Sequence, residues 1–246
     1  MTRRRIRPIG LAALALLVVG LASFLTWAAS PMPPEPGPLD AARTDPSFTL
    51  SESADGVVLA PKDPNGTGLV YLAGARVDPA AYARKLSGLA DAGVTIVIAR
   101  PTLNFAIFEL RPLSTFEGLA ADSGVQRWYV GGHSLGGVRA CQYAADAPAG
   151  SIAGVILFGS YCAADLSASD LPVLTLSATR DGLSTPATIA AAAHLLPPDA
   201  QLVKLPGADH AQFGDYGAQP GDTPATASDA QAKREITTAV LAFIGR

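Results

Sequence analysis

Ser134 stands between Gly132 and Gly136, in the stretch 132–137 that directly follows the apolar run 127–131 and directly precedes the helical-looking run 138–147. A serine at a strand-to-helix turn, with glycine two residues to either side, has the spacing of a nucleophile elbow. Side chains at the flanking positions of so tight a turn would collide with neighbouring backbone, and glycine removes them. The hydroxyl then stands above the sheet, and the N-terminus of the following helix favours the negative charge that develops as it attacks a carbonyl. The same residues also read as an ordinary glycine turn carrying a serine, so the chemistry depends on partners.

A serine hydroxyl is a weak nucleophile at neutral pH and needs a base. The chain has three histidines. His133 adjoins Ser134, where successive side chains point apart, which suits it to packing under the elbow. His194 lies late in a helical run and reads as a structural or surface residue. His210 sits in the loop 206–213, after the last strand-like run, and is the expected base. The base needs a carboxylate to hold its tautomer and stabilise the imidazolium. Asp181, in the segment 179–182, supplies one and gives the chain order Ser, Asp, His. It also reads as an Asp-Gly turn. Asp165 is the competing acid, Asp209 adjoins His210 and should point away, and Asp215 is left without a role. Two backbone donors are needed for an oxyanion: the amide of Leu135, and one from the loop 73–76, where Ala75 is the expected donor beside Gly74. Arg76 fits either an anionic substrate group or solvent.

These residues need a scaffold that brings them to one edge. Short apolar runs alternate with helical lengths. Segments 47–53 and 57–60 read as a hairpin, and strands are expected at 69–72, 94–99, 127–131, 155–158, 172–177 and 201–205. Helices are expected at 79–92, over 104–121 with a break at Pro112, after Ser134, at 186–196 and at 230–244. Strand–helix alternation implies an α/β architecture, a mostly parallel sheet with helices on both faces. Right-handed crossovers then place Ser134 and the loops after Leu72, Phe158, Ser177 and Leu205 on the same edge, where ligands bind in open α/β sheets.

Ahead of this domain, assigned to 47–246, lie two other segments. Residues 1–29 hold Arg3, Arg4, Arg5 and Arg7 and then an uncharged apolar run, 9–29, long enough to cross a bilayer. The arginines should stay cytoplasmic and the rest outside. A single-pass anchor and a cleaved signal peptide both fit; Thr26-Trp27-Ala28 is a poor small-x-small cleavage site and Trp27 suits a membrane interface. The chain is thus expected at the cell membrane with its catalytic domain outside, or secreted. Residues 30–46 begin Pro-rich and are expected to be an extended spacer. Cys141 and Cys162 read equally as a disulfide or as two buried thiols, and have no metal-ligand companions. The net charge is −3; without the four N-terminal arginines, 14 basic residues face 21 acidic ones, which gives no support to nucleic-acid binding. The abundance of alanine, glycine and proline suits a GC-rich bacterial genome.

The stretches 131–137 and 207–214 together resemble the α/β-hydrolase superfamily, and more narrowly its small, lidless, exported bacterial members, the α/β-hydrolase fold-5 and dienelactone-hydrolase-like group. The resemblance covers roughly 47–245. The loop 72–76 is similar to the family's glycine-rich oxyanion loop but carries Ala73 and Ala75, and serine replaces the cysteine of dienelactone hydrolases proper. The resemblance implies a serine hydrolase of carboxylic esters, with Ser134, His210 and Asp181 as triad and no metal or organic cofactor. The same residues would serve amide, peptide or thioester cleavage, or acyl transfer to an envelope sugar. A membrane-tethered binding protein on a retired hydrolase scaffold is the non-enzymatic alternative. The short stretch 159–171 leaves no room for a lid, so a shallow site for small or solvent-presented esters is expected rather than one for interfacial lipid. Oligomeric state is not readable from the sequence.

Overall fold

The computed structural model describes residues 8–245. Eight strands form one sheet in the order β1-β2-β4-β3-β5-β6-β7-β8. They are β1 (Phe48–Glu52), β2 (Gly56–Pro61), β3 (Thr67–Leu72), β4 (Thr95–Ala99), β5 (Arg127–His133), β6 (Gly154–Phe158), β7 (Val173–Ala178) and β8 (Gln201–Leu205). β1 and β2 form the antiparallel hairpin, β2 runs antiparallel to β4, and every pair from β4 to β8 is parallel. β3, β4, β6 and β7 are buried along their whole length, as continuous apolar runs covered on both faces must be. Alternation divides them: Leu69, Tyr71, Ile96 and Ile98 face one core, and Val70, Leu72, Val97 and Ala99 the other.

Helices α3 (Ala83–Asp91) and α7 (Asp229–Ile244) pack together on the first face, while α5 (Leu135–Asp146) and α4 (Leu113–Glu117) cover the second. Asp78 caps the 3₁₀ turn Pro79–Tyr82 that leads into α3, accepting from the Ala80 amide at 2.9 Å, and Ser228 caps α7. The expected helix at 186–196 is α6 (Pro186–Ala191) followed by a 3₁₀ turn.

Two sequence expectations need correction. The stretch 104–121 is not one broken helix. Single 3₁₀ turns at Thr102–Asn104 and Ala106–Phe108 precede α4, because Leu103 and Asn104 adopt left-handed φ of 56° and 58° and Glu109 is drawn inward. Nor is 30–46 an extended spacer throughout. Pro36 opens a helix, α2 (Pro36–Arg43), where its missing N–H costs nothing, and Leu39 and Ala42 enter the core. Met32 pairs with Val77 in an isolated parallel bridge.

The N-terminal run forms α1 (Pro8–Ala28), one apolar helix long enough to cross a membrane and exposed for most of its length. The arginines expected on its cytoplasmic side, Arg3 to Arg7, lie outside the described residues.

Cys141 in α5 and Cys162 after β6 form a disulfide, with Cα atoms 5.5 Å apart. It closes a loop with a sequence separation of 21 and pins the helix that follows Ser134 to the neighbouring strand. A Cys141→Ser/Cys162→Ser double variant is expected to lose about 3 kcal/mol of stability. Denaturant unfolding checks this, and a midpoint equal to that of the parent would contradict it.

Candidate active site

β5 ends at His133 and α5 begins at Leu135, so one residue makes the whole turn. Ser134 takes a backbone of φ 53° and ψ −125°, a conformation costly for a residue with a Cβ. The surroundings hold it there. Its amide donates to the Phe158 carbonyl at 3.1 Å, and its carbonyl accepts from Ser160 Oγ at 2.7 Å and the Gly137 amide at 3.0 Å. A Cβ at Gly132 would lie 2.6 Å from the Gly136 carbonyl carbon, and one at Gly136 would overlap the Leu72 carbonyl oxygen. Glycine is therefore required at both positions.

Asp181 follows β7 and His210 follows β8, on the edge that carries Ser134. His210 Nδ1 lies 2.8 Å from Asp181 Oδ2, and both side chains are buried. Asp181 Oδ1 accepts from the Leu183 and Ser184 amides at 2.8 and 2.6 Å. Those amides are donors, so Oδ1 is an acceptor, and in a neutral imidazole whose Nδ1 donates to Oδ2 the lone pair is on Nε2. That Nε2 is buried and makes no hydrogen bond. The structure thus brings Asp181 and His210 together. The ring of His133, the residue before Ser134, lies 4.3 Å from that of His210, and the Ser134 hydroxyl makes no hydrogen bond to Nε2.

The loops carrying these two groups are tied to each other. Asp222 accepts from the Gly182 amide at 2.9 Å and the Ala211 amide at 3.0 Å, and the Gly207 amide donates to Thr179 Oγ1 at 2.8 Å. Gly159, at φ 49°, lets Phe213 and Asp181 approach, for a Cβ there would lie 2.7 Å from the Phe213 ring.

After β3, the Gly74 amide donates to Tyr82 Oη at 2.9 Å, while the Ala75 and Leu135 amides have no partner among the described residues. Two free donors therefore flank the elbow, one on the loop after β3 and one at the N-terminus of a helix. Arg76, half-buried, is engaged by the N-terminal segment: Nε and Nη2 donate to the Trp27 and Ser30 carbonyls at 3.0 and 2.5 Å.

The other candidates fall away from the site. Asp165 is exposed and caps its own turn through Ser167, and His194 is exposed with Nδ1 2.8 Å from the Ala191 carbonyl. Asp209 accepts from the Gln212 and Ala225 amides, away from His210. Asp215 is buried 3.0 Å from Lys85 Nζ, which ties the His210 loop to α3. Tyr82 is the residue that sequence reasoning missed; nothing in its local pattern separates it from core aromatics. Since Tyr82 Oη accepts from Gly74, it donates to His133 Nδ1 at 3.0 Å. Among the described residues no group of three or more His, Cys, Asp or Glu side chains is placed to hold a metal ion.

A model of the alpha/beta hydrolase family matches residues 68–234, more than half of the sequence. The chain belongs to the alpha/beta hydrolase family. Among solved structures it is similar to esterase 2 of Thermogutta terrifontis phosphoramylated by tabun (16% identity, TM-score 0.51, covering 81% of this chain and 96% of that one). The butyrate-bound form of the same esterase gives 17% identity and TM-score 0.51, covering 81% of this chain and 95% of that one. A protein described as a predicted CIB-like hydrolase, from Thermoplasma acidophilum, gives 12% identity and TM-score 0.57, covering 78% and 98%. At these identities the likeness is one of fold. Comparison with curated protein sequences finds no significant match.

Burial, with His210 adding to it, holds His133 well below the ordinary histidine value of 6.5. Below about pH 6.5 the unfolded chain binds a proton there that the folded chain refuses, so stability falls as pH falls. His133→Gln removes that proton while keeping an acceptor for Tyr82. Its melting temperature is expected to decline less than the parent's between about pH 7 and 5. Parallel declines would contradict the assignment.

Proposed function

We propose that the protein is a serine hydrolase of carboxylic esters acting through Ser134, His210 and Asp181. The observation that carries the reading is the buried 2.8 Å contact of Asp181 with His210, on the sheet edge where Ser134 is held at positive φ. In this reading the Ser134 hydroxyl turns toward His210 Nε2, which takes its proton as Oγ attacks the ester carbonyl. The Ala75 and Leu135 amides receive the oxyanion, the donor pair left free by the bonding around them. His210 then protonates the leaving alcohol. Water, activated by the same nitrogen, releases the acid from the acyl-enzyme, and Asp181 holds the ring throughout. The similar esterase from Thermogutta is one that tabun phosphoramylates and that holds butyrate, which supports an esterase reading here.

The short connection from β6 to β7 supports an open site that accepts small or solvent-presented esters. A retained anchor is supported by the way α1 ends: Ala28 is fully buried, and its carbonyl accepts from Asn104 Nδ2 at 2.8 Å.

Ser134→Ala is expected to abolish hydrolysis of p-nitrophenyl butyrate and labelling by a fluorophosphonate while leaving the circular dichroism unchanged. Asp181→Asn should lower kcat by about 10⁴-fold. Full activity in Ser134→Ala would contradict the assignment, and absence of labelling in the folded parent would favour a non-catalytic scaffold.

A further inference from the structure

The loop 102–111 is built inside out. Its acidic residue, Glu109, has no exposed side-chain surface and accepts from the Thr102 amide and hydroxyl and from the Arg111 amide, Nε and Nη2 at 2.7 to 3.2 Å. Its apolar residues point outward: Leu103, Ile107 and Phe108 are exposed, and Leu110 is 87% exposed. An apolar cluster facing water has no structural purpose of its own and marks a surface made for contact.

The cluster is continuous with α1. Phe24 lies 6.3 Å from the rings of both Phe105 and Phe108, and Trp27 lies 5.5 Å from Phe105. With 21 residues at about 1.5 Å each, α1 has close to the thickness of a bilayer's hydrocarbon, so the membrane surface falls near Trp27 at its end. Phe24 is one turn deeper. No free spacer follows, because Asn104 and Arg76 grip the carbonyls of Ala28, Trp27 and Ser30. The loop therefore sits at headgroup level. It also adjoins the catalytic groups. The Arg76 amide, next to Ala75, donates to the Asn104 carbonyl at 2.7 Å, and the turn Ala106–Phe108 packs on α5, which starts beside Ser134.

We propose that residues 103–110, together with the end of α1, form a lip seated in the bilayer, and that the site draws its substrate from that bilayer: an ester of a membrane amphiphile whose acyl chain stays in the lipid while its carbonyl reaches Ser134. The substrate half of this rests on the ester-hydrolase reading; the membrane half stands apart from it. This replaces the expectation of a small or solvent-presented ester, which rests on the short stretch 159–171.

The sequence has two cysteines, both in the disulfide, so Leu110→Cys supplies a single thiol for a nitrobenzoxadiazole label. Lys62→Cys, exposed just after β2 at the sheet edge away from the ends of β3 and β5, is the control. The full chain is placed in dioleoylphosphatidylcholine vesicles with and without brominated acyl chains. Quenching at 110 but not at 62 is expected. Equal absence of quenching at both would overturn the lip whatever the enzyme hydrolyses, and so would a chain in its native membrane found to begin after residue 28. In the same vesicles Ile107→Ser/Leu110→Ser should lower hydrolysis of bilayer-dissolved p-nitrophenyl palmitate at least about tenfold, a loss of about 1.4 kcal/mol in transition-state binding, while p-nitrophenyl acetate is cleaved as by the parent. An equal effect on both esters would overturn the substrate assignment. A parent inactive on both would overturn the esterase reading, and quenching would still decide the lip.

Discussion

The site depends on one close approach between backbones. α5 leaves β5 so sharply that its second residue, Gly136, rests on the carbonyl of Leu72, the last residue of β3. That contact puts the N-terminus of α5 against the end of β3 and the start of the loop that follows it. It is possible only because Gly132 and Gly136 have no side chain, and it forces Ser134 into its left-handed backbone. Hydrogen bonds on the Ser134 peptide groups, with Phe158, Ser160, Gly137 and Val138, keep the turn from relaxing. The disulfide from Cys141 to Cys162 holds the same helix a turn and a half further on.

Around this contact the polar groups are arranged so that the right donors stay free. Tyr82 takes up the Gly74 amide and donates a hydrogen bond to His133, and the next amide, that of Ala75, has no partner among the described residues. His133, kept neutral by burial, serves as the floor on which the His210 ring rests. Asp222 fastens the Asp181 loop to the His210 loop, and the buried Lys85–Asp215 pair fastens the latter to α3. The Asp181 and His210 loops are thereby fixed to each other and to α3.

Much of this was readable in the residues. Glycine at 132 and 136 has a steric reason that spacing alone reveals, and the strands are apolar runs of the right length between turn residues. Asp181 and His210 could be placed because each follows a strand ending on the same edge. What stayed hidden depends on contacts distant in sequence. Tyr82 is one aromatic among many until the fold sets it beside Gly74, and Asp215 is a loop aspartate until Lys85 meets it. The loop 102–111 misleads a helical reading because Glu109 bonds inward to Thr102 and Arg111, and no local pattern shows that. The Pro-rich stretch misleads for a different reason: proline forbids a helix interior but suits a first turn, and Pro36 is in one. The functional consequence is that α1 is not tethered at a distance but docked onto the edge where the chemistry would occur.

The most direct measurement of the central claim is a structure of the full chain after reaction with an aryl phosphonate. The account predicts phosphorus bonded to Ser134 Oγ, the phosphonyl oxygen within about 3 Å of the Ala75 and Leu135 amide nitrogens, and His210 Nε2 facing the reacted oxygen while Nδ1 remains on Asp181. A phosphonate on any other residue, or an oxygen bonded elsewhere with both amides still unoccupied, would contradict it.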